Sequence, residues 1–189
     1  MSMHFRLFYQ GPLKANGTPA EKHRIRRAFH SQLKNLWQQP PLADVTKGLN
    51  FDPSKGKALG VNRGAYLCVP LVSQALELVA ALEITMLRAE PPGRVVTQGG
   101  DIDNRLKTLL DSLQVPKADQ LSPTDVPTPA ETPFYCLVED DNLITSITVI
   151  SDRLLTQPAT PNEVVLLINT TLEFTHQHFT NLVPPPRLL

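Results

Sequence analysis

No run of about 18 uninterrupted apolar residues occurs in this chain of 189 residues, so a membrane-spanning helix is not expected. The opening Met1-Ser2-Met3-His4-Phe5-Arg6 lacks the apolar core of a signal peptide, and a cytoplasmic protein is the expectation. Aromatic residues are scarce at 6%, and none interleave with a basic stripe, which argues against a surface that stacks unpaired bases. Cysteine is limited to Cys68 and Cys136, in apolar surroundings and without metal-ligand spacing. Both read as buried thiols rather than a disulfide or a zinc site. Net charge is zero, and no internal repeat is present. Proline is the exception to this economy: its 18 residues cluster in connecting segments.

The length suits one domain with a real core. The expected division is a single domain over 1–175, with loop insertions at about 40–65 and 114–135, and a Pro-rich tail at 176–189. Met3 to Tyr9 alternates apolar and polar residues and reads as a strand. Thr18-Pro19-Ala20-Glu21 supplies an N-cap, a proline at the first helical position and the glutamate of a capping box, which predicts a helix from Pro19 to Trp37. Its apolar face is Ile25, Phe29, Leu33 and Leu36, and Arg24, Arg27, Ser31 and Lys34 face away. Tyr66 to Val72 and Val79 to Leu87 are strand candidates, although Val72 to Ala81 could equally be helical, and Leu143 to Ile150 and Val164 to Phe174 read as strands rich in β-branched residues. The resulting expectation is an α+β fold, a mixed and largely antiparallel sheet with two main helices packed on it.

Charge is not spread evenly. Residues 1–63 hold eleven Lys/Arg against three Asp/Glu, whereas 64–189 hold seven against fifteen. This asymmetry suggests a basic surface for phosphates beside an acidic site. Lys14, Arg24, Arg27, Lys34, Lys55, Lys57 and Arg63 are the candidate phosphate contacts.

The acidic site is sought in Gly100-Asp101-Ile102-Asp103-Asn104-Arg105-Leu106-Lys107-Thr108-Leu109-Leu110-Asp111-Ser112-Leu113. Asp101 and Asp103 project alike in an extended segment. On a helix beginning near Asp103, residues Asp103, Lys107 and Asp111 share one face, opposite a stripe of Leu106, Leu109, Leu110 and Leu113. A second acidic group, Glu139-Asp140-Asp141, lies between two apolar runs. Two acidic clusters at the edges of elements suggest one composite site for a hard cation. Each residue also has a plainer role open to it: helix capping for Asp101 or Asp103, a surface ion pair for Lys107, turn chemistry for Asp140 and Asp141.

The string Asp-x-Asp-Asn-x-x-Lys-x-x-x-Asp-x-Leu, followed by Asp-Asp-x-x-Ile opening a strand, resembles the RusA family of Holliday junction resolvases. The resemblance covers 100–113 and 139–150. It implies a RusA-like fold and a Mg2+-dependent endonuclease, with Mn2+ as a substitute metal, that resolves branched DNA in recombination and repair as a homodimer. The matching positions are Asp101, Asp103 and Asp141 as metal ligands and Lys107 as the assisting cation, with Asp140 and Asp111 at further acidic positions. Two other readings stay open: a non-catalytic DNA-binding or interaction protein that keeps the fold, and another metal-dependent phosphodiesterase or RNA nuclease using the same carboxylates.

Overall fold

The structure is a computed structural model that describes residues 3–89, 102–122, 124–158, 160 and 162–175. The chain starts with β1 (Met3–Pro12), whose alternation of exposed His4, Arg6 and Phe8 with buried Leu7 and Tyr9 matches the sequence pattern. A loop leads to α1 (Pro19–Trp37). Its capping box forms as expected: the Thr18 hydroxyl accepts from the Glu21 amide at 3.3 Å, and the Glu21 carboxylate accepts from the Thr18 amide at 2.9 Å. The stretch expected as a loop insertion at 40–65 contains a short helix, α2 (Leu42–Thr46), and an edge strand, β2 (Val61–Arg63).

Next come β3 (Tyr66–Val72), β4 (Leu78–Arg88), α3 (Ile102–Leu113), β5 (Phe134–Val138), β6 (Ile144–Arg153) and β7 (Glu163–Phe174). The α+β expectation is met, with the strands divided between two sheets. One has the order β1-β7-β4-β6, in which β4 and β6 run parallel and the other neighbours antiparallel; the other is β2-β3-β5, with β3 and β5 parallel. α1 packs against β1, β5 and α3.

Alternation drives this assembly. On β4, Ala80, Leu82, Ile84 and Met86 are buried, and on β7 Val164, Leu166, Ile168 and Leu172 are buried, so the shared face of the sheet meets Ile25, Phe29 and Leu33 of α1 in one continuous core. Cys68 and Cys136 are buried free thiols on the second sheet. Among the described residues no helix is long and apolar enough to cross a membrane.

α3 begins where expected, but its buried face is rotated. Ile102, Arg105, Thr108, Leu109, Ser112 and Leu113 are buried, whereas Leu106 and Leu110 of the expected stripe are only half-buried. The reason is the neighbour. α3 packs on α1 and on the loop after β1 through polar contacts as well as through leucines.

Candidate functional site

The first turns of α3 are held by the loop between β1 and α1. Thr108 accepts a hydrogen bond from the Gly17 amide at 2.9 Å and donates from the same hydroxyl to the Asn104 carbonyl at 3.1 Å. The approach is so close that a Cβ on Gly17 would sit 2.6 Å from the Thr108 methyl, which is why glycine is needed there. On this anchored helix Asp103 lies in the first turn and Lys107 one turn later, both exposed. Neither forms an ion pair or side-chain hydrogen bond with another described residue, so the ordinary helix salt bridge between them is not made.

The other acidic candidates are differently placed. Asp111 receives the Lys22 ammonium at 2.6 Å, with both side chains largely shielded, and accepts from Gln114 Nε2 at 3.1 Å. It is a clasp between α1 and α3. Asp140 caps a single 3-10 turn, Asp141–Leu143, by accepting from the Asn142 amide at 3.1 Å, which is the turn role open to it from sequence. Glu139 accepts from the Gln74 amide at 3.1 Å. Asp141 is exposed and makes no side-chain contact with another described residue. Asp101 lies outside the described residues.

These residues occupy two stations. The end of β5 meets the chain just past α3, where the Val115 amide donates to the Val138 carbonyl at 3.0 Å. Asp103 stands at the opposite end of that helix, about 15 Å along its axis. Among the described residues no three His, Cys, Asp or Glu side chains lie close enough to share a metal ion.

The basic candidates are mostly engaged within the molecule. Arg27, expected to be exposed, is half-buried: Nε donates to Glu131 at 2.7 Å, and Nη2 donates to Asp125 at 2.7 Å and to the Tyr66 hydroxyl at 2.8 Å. Lys34, also half-buried, donates to the Ala130 carbonyl at 2.6 Å. Lys14 pairs with Glu21 at 2.6 Å, and Lys55 approaches Asp52 at 3.5 Å. Arg24 is exposed beside the Tyr9 hydroxyl, Arg63 bonds the Asn62 carbonyl at 3.1 Å, and Lys57 is exposed, its ammonium with no partner among the described residues.

No family model, curated protein or solved structure matches this chain.

A polar network not anticipated from the sequence fastens the 114–135 segment to α1. Arg26 is 1% exposed; its Nε donates to the Gln114 carbonyl at 3.1 Å, and its Nη2 to the Asp111 carbonyl at 2.6 Å and to Gln120 at 3.1 Å. Burial lowers its pKa. His23 lies between Arg26 and Asp125: Nδ1 is 3.3 Å from Arg26 Nη1, and Nε2 is 3.3 Å from Asp125 and 3.2 Å from the Tyr66 hydroxyl. Burial first, and the Arg26 charge second, pull its pKa down to about 4, outweighing the carboxylates, so the ring is neutral at pH 7. Burial and the Asp125 contact push Tyr66 up to about 12. Burial alone would raise the Asp125 carboxyl, but hydrogen bonds from Arg27 and Tyr66 prevail and hold it below the usual range. The available signal was a second stripe on α1: His23, Arg26 and His30 recur at helical spacing beside the apolar face.

Proposed function

We propose that this chain is a cytoplasmic Mg2+-dependent endonuclease that cuts branched DNA such as a four-way junction, as the RusA family does, whose motif its sequence resembles. The observation that carries the reading is the sorting of the charged candidates. Asp111 and Asp140 are committed to structure, whereas Asp103, Lys107 and Asp141, three of the four positions that the motif marks as functional, are exposed and their side chains make no hydrogen bond or ion pair with other described residues. Unpartnered carboxylates are costless to recruit as ligands, and Mg2+ is bound through one or two carboxylates together with water and substrate phosphate. Asp103, an exposed oxygen ligand with no internal partner among the described residues, suits such a metal. Asp103 with Asp101 would hold it at the start of α3; Asp141, set apart at the second station, would join that shell only when the two stations are drawn together on the substrate.

Bound Mg2+ supplies an activated water and charge stabilisation for the leaving oxygen. The chain's own part is positional. The Gly17–Thr108 contact fixes the first turns of α3, so Asp103 and Lys107 present their charges from a rigid element. Lys107 offers a compact, strongly hydrated point charge to a scissile phosphate. A homodimer would set two such sites against the symmetric strands of a junction.

The test is cleavage of labelled four-way junction, linear duplex, single-stranded DNA and RNA, with Mg2+, with Mn2+ and with chelator. Asp103→Asn and Asp141→Asn should each lower junction cleavage by orders of magnitude while leaving the fold intact. Asp111→Asn should cost stability without abolishing cleavage. Full Mg2+-dependent cleavage by both Asp103→Asn and Asp141→Asn would refute the site, and junction binding without cleavage by the parent chain would make it a binding module instead.

A further inference from the structure

An apolar groove of about 390 Å3 opens between the end of α1, α2 and residues of strands from both sheets. Trp37, Leu42, Val45, Leu76, Leu78 and Phe174 are among its walls. Two of these are unusually exposed for such side chains: Val45 at 52% and Phe174 at 41%. Trp37 is 3% exposed, and its indole N–H has no acceptor among the described residues. What the groove offers an occupant is an apolar surface.

The chain itself arrives at this groove. β7 ends in its wall at Phe174, and Thr175 is moored to the rim: its amide donates to the Glu77 carbonyl at 2.8 Å and its hydroxyl to the same oxygen at 3.1 Å. Glu77 separates the lining residues Leu76 and Leu78. The next 14 residues, 176–189, carry Phe179, Leu182, Val183, Leu188 and Leu189 with a single Arg and no carboxylate side chain. At about 3.3 Å per residue, Phe179 to Val183 come within about 13–26 Å of Thr175, enough to traverse a groove of this size.

We propose that residues 176–189 of the same chain are the occupant of this groove, placing Phe179, Leu182 and Val183 against its apolar walls. A short tether presents such a segment at an effective concentration of about 1 mM, so modest intrinsic affinity suffices.

Trp37 is the sole tryptophan, which gives the experiment one unambiguous reporter in both fluorescence and the indole region of a 1H–15N spectrum. The chain ending at Thr175 should show red-shifted Trp37 emission and a displaced indole resonance relative to the full chain. A synthetic 176–189 peptide should reverse both saturably with a dissociation constant below about 1 mM, and a peptide with Asp at 179 and 182 should not. If the shortened chain folds poorly, Phe179→Asp with Leu182→Asp in the full chain, or Val45→Asp on the opposite wall, should give the same displaced resonance with an unchanged far-ultraviolet circular dichroism spectrum. The proposal is overturned if the Trp37 signals are indifferent to the deletion and to both sets of aspartates, or if the peptide does not bind. It is equally overturned if the full chain shows the docked signals only as a dimer and loses them on dilution, since a second copy would then be the occupant.

Discussion

Lowering the pH from 7 to 5 should weaken the fold measurably, chiefly through His23. The ring is buried between Arg26, Asp125 and Tyr66, with Arg27 and Glu131 close by, and it titrates at about 4 in the folded protein against 6.5 when solvated. The unfolded chain therefore binds a proton that the native state refuses. Its contribution is complete above about pH 6.5 and is lost progressively as the pH falls toward 4. The full shift corresponds to about 3 kcal/mol, of which about 2 kcal/mol falls between pH 7 and 5. For a chain of this length that is a fall in Tm of about 4–8 °C. His30, whose pKa burial also lowers, acts in the same direction and remains in both proteins compared. Urea unfolding of the parent and of His23→Gln at pH 7, 6 and 5 isolates the His23 part: the variant should be weaker at pH 7 but should lose about 2 kcal/mol less on acidification. Parallel profiles for the two proteins would refute the argument, as would a native His23 resonance that titrates near 6.5.

Arg27→Met removes three short hydrogen bonds, two of them to carboxylates. With the partly exposed guanidinium discounted for solvent screening, it should cost about 2 kcal/mol in urea unfolding at pH 7, with a coupling to Glu131→Gln of about 1 kcal/mol in a double-mutant cycle. That difference should shrink below pH 4 as Asp125 and Glu131, both held below their ordinary pKa, finally protonate. Gly17→Ala should cost about 1–3 kcal/mol and lower junction cleavage, and Thr108→Ser should recover much of the loss, because without the methyl the nearest remaining side-chain atoms are 3.4 and 3.6 Å away. Adding Mg2+ at 100 times its dissociation constant should stabilise the parent by about 2.7 kcal/mol, read as a rise in Tm of about 5–11 °C by differential scanning fluorimetry, and should leave Asp103→Asn unmoved.

The parts of this fold that were legible in the sequence are the parts governed by near neighbours. Thr18, Pro19 and Glu21 determine the start of α1 within a single turn, and the alternation along β4 and β7 records a face that meets one core. What was not legible depends on partners far along the chain. The excess of cations before residue 64 suggested an outward field, yet Lys22 and Arg27 meet Asp111, Asp125 and Glu131 inside the molecule. The asymmetry is in good part internal complementarity between α1 and later segments. The buried face of α3 was misjudged for the same reason: Thr108 is buried because Gly17 donates to it, a pairing across 91 positions that no helical period records. The exposure of Asp103, Lys107 and Asp141 adds what spacing alone could not, since it separates carboxylates with a structural duty from those without one.

The place of β7 bears on how the protein is made. This strand, the last among the described residues, is interior to its sheet, with β1 on one side and β4 on the other, so that Met3 pairs with Leu172 and Leu82 with Thr170. During synthesis, β1 has no sheet neighbour, and β4 has only β6, until residues 163–174 have left the ribosome. Until then β4 presents an unpaired edge carrying Leu82, Ile84 and Met86, a surface open to wrong partners. High contact order of this kind also makes the closing step slow. Nascent chains stalled before β7 should therefore depend on chaperones, and release of the last strand should be the event that ends that dependence.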